Sequence, residues 1–263
     1  MNSPENKSPI ILLTNDDGFY AEGIEALFAR LGGLGQIFIV APDQEQSATS
    51  LSLTLHHPLR VKTIKPNIFA VSGTPADCIY LAVREILPRK PDMIISGINH
   101  GPNLGQQDTS HSGTVAGATQ GTFLQLPSMA VSTMPDSLGH FDFKFAADFT
   151  HILARHILKE GLPSGITLNV NIPPPPIKGI KLAKLGEKRY NPEIVVKKDP
   201  RNRTYYWIGT GTPKEIGDPD SDVIVFKEGF LTITPLHSDS TDYAAMKSSS
   251  LKKIISHVNH ETF

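Results

Sequence analysis

Two acids stand side by side at Asp16 and Asp17, directly after the apolar run Ile10–Thr14 and before Gly18. Carboxylates about 4 Å apart repel by roughly 4 kcal/mol at the effective dielectric of a protein surface. Such a pair is either a strand-end turn, its side chains accepting backbone N–H bonds, or the seat of a cation. In a continuing strand the two side chains would point to opposite faces. They converge only if the chain leaves the strand there, and Gly18 makes that turn easy. An isolated Asp-Asp-Gly is more often the plain turn, so the neighbouring loops decide. Ser47 and Asn99 follow other apolar runs in equivalent strand-exit positions, and both offer neutral oxygens. Two carboxylates with neutral oxygens suit one hard divalent ion per chain, Mg²⁺ or Mn²⁺. No His and Cys have zinc-like spacing.

A second group is the stretch 97–114, where Gly97, Gly101 and Gly105 alternate with Asn99 and Asn103. Read as a glycine-rich loop, it lets backbone N–H groups approach an anion. Ser112, Gly113 and Thr114 then open a helix whose exposed N–H groups and dipole favour a phosphate. Alone this could be a flexible loop running into a capped helix. Beside a carboxylate–metal site it becomes more specific, because metal-assisted phosphoryl transfer needs both parts. His111 is the first candidate for proton transfer, ahead of His100, although loop histidines are commonly just solvated.

These residues need a scaffold. Ile10–Thr14, Ile37–Ala41, Met93–Ser96 and Ser128–Ser132 read as buried parallel strands. Ala21–Leu34, Pro75–Leu87 and Gly113–Leu124 read as helices between them, the second opened by the cap Thr74 and by Pro75. The alternation predicts a Rossmann-like α/β fold, a mostly parallel sheet with helices on both faces. Residues 51–72 read as an antiparallel addition, Asp142–Lys159 as a helix and Thr167–Ile172 as a strand. The prolines of 173–176 mark the end of a catalytic body spanning 1–176. Residues 177–263 read as a smaller region with a hairpin turning at Asp199–Asn202, a further strand and a terminal helix, Tyr243–Val258. In such sheets ligands collect beyond the carboxyl ends of the strands, where the loops after 14, 41 and 96 open together.

Composition sets the remaining bounds. The 263 residues carry 25 Lys plus Arg against 26 Asp plus Glu, a balance that supports neither a nucleic-acid partner nor an electrostatic membrane anchor. The single Cys78 excludes a disulfide framework, fits a reducing compartment, and reads as a packing residue. The start, MNSPENKSP, has no apolar core of a signal peptide, and no apolar run is long enough to span a bilayer. A cytoplasmic protein is expected.

The segments LLTNDDGFYAEGIEAL, VAPDQEQSATSLSLTL, GTPADC, PDMIISGINHGPNLG, SGTVAGA and GFLTITPLHSDST occur in the order and spacing of the SurE family, which the chain resembles over residues 9 to 242. The resemblance implies a stress-survival protein with 5′/3′-nucleotidase activity on nucleoside monophosphates, with short polyphosphate as a further substrate. It implies one metal ion held by Asp16, Asp17, Ser47 and Asn99, and homodimers or homotetramers built through the hairpin and an exchanged C-terminal segment. The chain departs from the family pattern at Ala48, usually Gly, at His111, often Tyr, and at Gln120, often an acid. The reading is therefore a metal-dependent phosphomonoesterase. Asp16 and Asp17 act through the metal, while Asn103, Ser112, Gly113 and Thr114 hold the phosphoryl group.

The rivals are weaker on the residues. A receiver domain needs a phosphoacceptor Asp after the third strand and a Lys after the fifth, and neither stands in suitable context. An aspartyl-nucleophile phosphatase spaces its two acids by one residue. A dinucleotide enzyme needs G-x-G-x-x-G after the first strand. A nucleotide-binding module without turnover differs only in releasing no phosphate.

Overall fold

A computed structural model describes residues 8–209 and 211–262. The polar stretch 1–7 lies outside the described residues. The chain runs β1 (Ile10–Thr14), α1 (Glu22–Leu31), β2 (Gln36–Pro42), β3 (Val61–Lys65), β4 (Ile68–Val71) and α2 (Pro75–Leu81). A π-helical turn, Ala82–Ile86, leads to β5 (Met93–His100), α3 (Gly105–His111), α4 (Gly113–Phe123), β6 (Ser128–Thr133), α5 (Phe143–Glu160) and β7 (Ile166–Ile172). The remainder holds β8 (Ile180–Leu182), β9 (Glu187–Arg189), β10 (Ile194–Lys198), β11 (Thr204–Ile208), β12 (Lys214–Ile216), α6 (Asp222–Lys227), β13 (Leu231–His237) and α7 (Ser249–Thr262).

One sheet organises the molecule, in the order β3-β4-β2-β1-β5-β6-β7-β13-β8. The six strands from β4 to β7 pair in parallel, while β3 lies antiparallel on β4 and β13 antiparallel on β7. Side chains of β1 alternate between two cores, as the pleat requires. Ile11 and Leu13 pack with Ile24, Leu27 and Leu31 of α1 on one face. Ile10 and Leu12 pack with Cys78 and Ile79 of α2 on the other. Burial on both faces is why these strands read as unbroken apolar runs. From β1 the chain first winds to β2 and β4, then reverses to β5 and β6. The reversal opens a crevice at the ends of β1 and β5, where Asp16 and Asp17 follow β1 and Asn99 stands just before His100, the last residue of β5.

α2 begins with a capping box: Thr74 Oγ1 accepts from Asp77 N–H at 3.2 Å, and Asp77 Oδ2 accepts from Thr74 N–H at 2.9 Å. Asp77 also accepts from the N–H and hydroxyl of Thr54, anchoring the stretch before β3. That stretch is irregular: residues 51–60, expected as strand, form none, and strand structure starts at Val61. The helix expected over Pro75–Leu87 gives way to the π-helical turn after Leu81. The terminal helix begins at Ser249, not Tyr243. Asp239 and Asp242 accept from the N–H groups of Thr241, Ala244 and Ala245, and such local turns compete with helix. The hairpin β10–β11 turns on Asp199, whose Oδ1 accepts from Arg201 and Arg203 N–H. It exposes Val196, Tyr206, Trp207 and Ile208, and α7 exposes Leu251, Ile254, Ile255 and Val258. No described helix is long and apolar enough to cross a membrane.

Candidate active site

The turn after β1 is built locally. Asn15 braces it from both sides, its Nδ2 donating to Gly18 O at 2.8 Å and its Oδ1 accepting from Gly18 N–H at 3.2 Å. Gly18 has φ +108°, a conformation side-chain-bearing residues rarely adopt, and completes the turn that follows β1. Asp16 then faces the first turn of α4. Thr114 Oγ1 donates to Asp16 Oδ1 at 2.6 Å, and Gln46 N–H from the loop after β2 donates to Asp16 O at 2.7 Å. Gly113 allows this approach, because a Cβ there would stand 2.7 Å from the Asp16 Cβ. Burial pushes the Asp16 carboxyl up to about 6; the Thr114 hydroxyl works against that rise and the Asp17 charge adds to it.

Asp17 is less buried as a residue, yet its Oδ2 is sealed from solvent and takes no aligned hydrogen bond. His100 Nδ1 lies 3.2 Å from that oxygen, an ion-pair distance without hydrogen-bond alignment. The contact with Asp17 raises the affinity of His100 for its proton, against the opposing effect of burial. The imidazole is wedged edge-on against Phe141 and Phe143, at centroid distances of 5.2 and 4.8 Å.

Asn99 lies beside this pair near the end of β5, after a break in register between Gly97 and Asn99. Its Nδ2 donates to Gly101 O at 2.7 Å, which leaves Oδ1 as its ligand end. Ser47 is different: it is exposed, and its Oγ donates to Glu45 Oε1 at 2.6 Å. The link between its loop and the acids is the bond from Gln46, not the Ser47 hydroxyl. Ala48, next to it, has φ +58°.

The stretch 97–114 is more ordered than a glycine-rich loop. β5 runs on to His100, and residues 105–111 form α3. The N–H groups of Gly101, Asn103 and Gly105 are already bonded, to Thr133 O, Asn171 Oδ1 and Asp222 Oδ2. The expected cradle of glycine N–H groups is therefore closed in those places. Asn103 itself is buried: its Nδ2 donates to Ser132 Oγ, and its carbonyl accepts from Asn169 and Asn171. The helix start remains the anion-facing element. Ser112 Oγ caps it by accepting from Val115 N–H at 3.1 Å. His111 is exposed at the end of α3, its carbonyl accepting from Ser50 N–H. Among the described residues no hydrogen bond or ion pair joins its ring to the acids.

Reasoning from sequence ranked His100 below His111, and it passed over Asn169, Asn171 and Asp222. The Asn pair carried a signal: N-V-N in an otherwise apolar strand puts two amides on one buried face.

The donor set bears on a metal directly. Among the described residues no cluster of three or more His, Cys, Asp or Glu forms a metal site. A buried carboxylate oxygen without a hydrogen-bond donor, next to a second acid, fits a hard oxygen-seeking cation.

The family model described as "Survival protein SurE" matches residues 11–192. The 5'-nucleotidase SurE of Syntrophotalea carbinolica is 44% identical over 238 residues, covering 90% of this chain and 95% of that protein. The 5'-nucleotidase SurE of Geotalea uraniireducens is 45% identical over 239 residues, covering 90% and 96%. The crystal structure of the SurE protein from Aquifex aeolicus superposes with a TM-score of 0.80 at 39% identity, over 93% of this chain and 100% of that one. With the same fold carried through nearly the whole length of these relatives, the chain belongs to the SurE family.

Proposed function

We propose that the chain is a divalent-metal-dependent nucleotidase that hydrolyses nucleoside monophosphates to nucleoside and phosphate. The observation that carries the reading is the paired acids at the switch in strand order, Asp16 bonded to the start of a capped helix and Asp17 with a sealed, unbonded oxygen. The naming of the relatives as 5'-nucleotidases supports the same chemistry. Asp16, Asp17, Ser47 and Asn99 would hold the ion, Mg²⁺ or Mn²⁺. Such an ion, when bound, supplies positive charge at a phosphoryl group and makes nearby water more acidic. Thr114 fixes Asp16 and stabilises its ionised form. Gly113 keeps the helix backbone close, so that the first N–H groups and the dipole of α4 hold phosphoryl oxygens and the charge that grows on them. Ser112 and Asn103 shape the same end of the site.

Residues 1–176 carry the catalysis in this reading, and residues 177–263 carry association. The exposed apolar faces of β10–β11 and α7 suit a homodimer or homotetramer. The balanced charge and the single buried Cys78 suit the cytoplasm. The test is phosphate release from a panel of 5′- and 3′-monophosphates and short polyphosphate with Mg²⁺ or Mn²⁺. Release that stops on chelation and returns with the ion is expected. No release with either ion, or release indifferent to chelation, overturns the reading.

A further inference from the structure

We infer that His100 is a positioning residue that holds the Asp17 carboxylate in place for cation capture, with Phe141 and Phe143 as its clamp; the inference rests on Asp16 and Asp17 being cation ligands. Nδ1 of His100 is the polar atom placed against Asp17 Oδ2, at 3.2 Å. An ionised carboxylate only accepts, so of the two groups the imidazole alone can bring a proton to that contact.

The ring is not a free loop side chain. It meets Phe141 and Phe143 edge-on, at interplanar angles of 75° and 72°, while those two rings stack on each other at 5.3 Å and 8°. Aromatic pairs of this kind prefer edge-to-face or offset geometry, and the half-exposed His100 ring meets both phenylalanines in that way. Phe143 opens α5 and is buried in the main core, so the clamp is tied to the scaffold. His100 is itself the last residue of β5, with Thr133 of β6 as its register partner. The imidazole is thus fixed from below by two strands and from the side by two rings, and presents one nitrogen to one acid. Carboxylates that bind metals are generally held by such outer partners, whose loss weakens metal binding on the order of 10- to 100-fold.

The experiment is calorimetric titration of Mn²⁺ into the metal-free full chain, which reads binding without turnover. H100F keeps a ring for the clamp and removes Nδ1; binding is expected to weaken on the order of 10- to 100-fold. H100N places an amide nitrogen where Nδ1 stood and is expected to recover most of that loss. Should H100F melt early, H100N is compared with H100Q, whose amide reaches the Nε2 position; Asn is expected to bind and Gln to bind weakly. H100F or H100Q binding Mn²⁺ as tightly as wild type, or H100N binding no better than either, overturns the inference while the cation reading stands. A wild-type chain that takes up no Mn²⁺ overturns the cation reading itself.

Discussion

Thr114 Oγ1 sits 2.6 Å from Asp16 Oδ1, so the first turn of α4 is bonded directly to the acid at the end of β1. The bond counters part of the cost of burying that acid, and it sets the first expectation. Thr114→Val keeps the shape and removes the hydroxyl. A hydrogen bond to a charged group is worth roughly 1.5–3 kcal/mol. Since this hydroxyl is the strongest influence holding the Asp16 proton affinity down, the variant should titrate Asp16 at higher pH than wild type. NMR titration of the carboxyl in metal-free protein checks this, and an unchanged midpoint counts against it.

Asp16→Asn should separate stability from activity. The metal-free folded chain keeps the Asp16 proton up to about pH 6, whereas the carboxyl's ordinary value is 3.8. Between those values the folded state binds more protons, so stability falls as pH rises through the window. A shift of about two units corresponds to about 3 kcal/mol at neutral pH. Asn carries no charge and escapes that loss. The variant should therefore melt higher than metal-free wild type at pH 7, with the gap closing towards pH 4, and it should lack phosphatase activity. Thermal melts at both pH values and a phosphate assay decide it; full activity, or a constant gap, would sink the assignment.

Gly113→Ala tests the approach of the helix to the acid. The new methyl would meet the Asp16 Cβ at 2.7 Å, within a well-packed contact. Overpacking of this kind costs roughly 1–3 kcal/mol. Mn²⁺ affinity and activity should both drop, while Gly33→Ala, which meets no neighbouring atom, should leave Mn²⁺ affinity as it is.

Ala48 has a left-handed backbone at φ +58°, at a position where the family resemblance leads one to expect Gly. The left-handed conformation costs an alanine roughly 1–2 kcal/mol. Part of that gain is offset by the greater freedom of Gly in the unfolded chain. Ala48→Gly should raise stability by about 0.5–1 kcal/mol, read from denaturant midpoints. A loss would show that the strain is relieved elsewhere.

The scaffold was readable in Ile10–Leu13 because a strand buried on both faces shows an unbroken apolar run. The acids were readable because they follow such a run and precede a glycine. α3 was not. G-Q-Q-D-T-S-H is polar and opens on Gly, a poor helix by propensity. It is held from afar, by the Asp108 ion pair with Lys188 at 2.7 Å and by the Tyr190 hydroxyl on the same acid. The roles of His100 and His111 were equally hidden. Both lie in one polar stretch, and only the folded packing of Phe141 and Phe143 shows which ring meets Asp17.

Asp222 is fully buried, and its carboxylate accepts from the N–H groups of Gly105, Gly186 and Val223. One of those donors, Gly105, belongs to the segment that follows Asn99, so a carboxylate 117 residues further along the chain fixes that segment. Together with β13, which lies between β7 and β8, this ties the segment after β5 to a part of the chain far away in sequence. Loosening that later part of the chain would therefore release the segment after β5 as well.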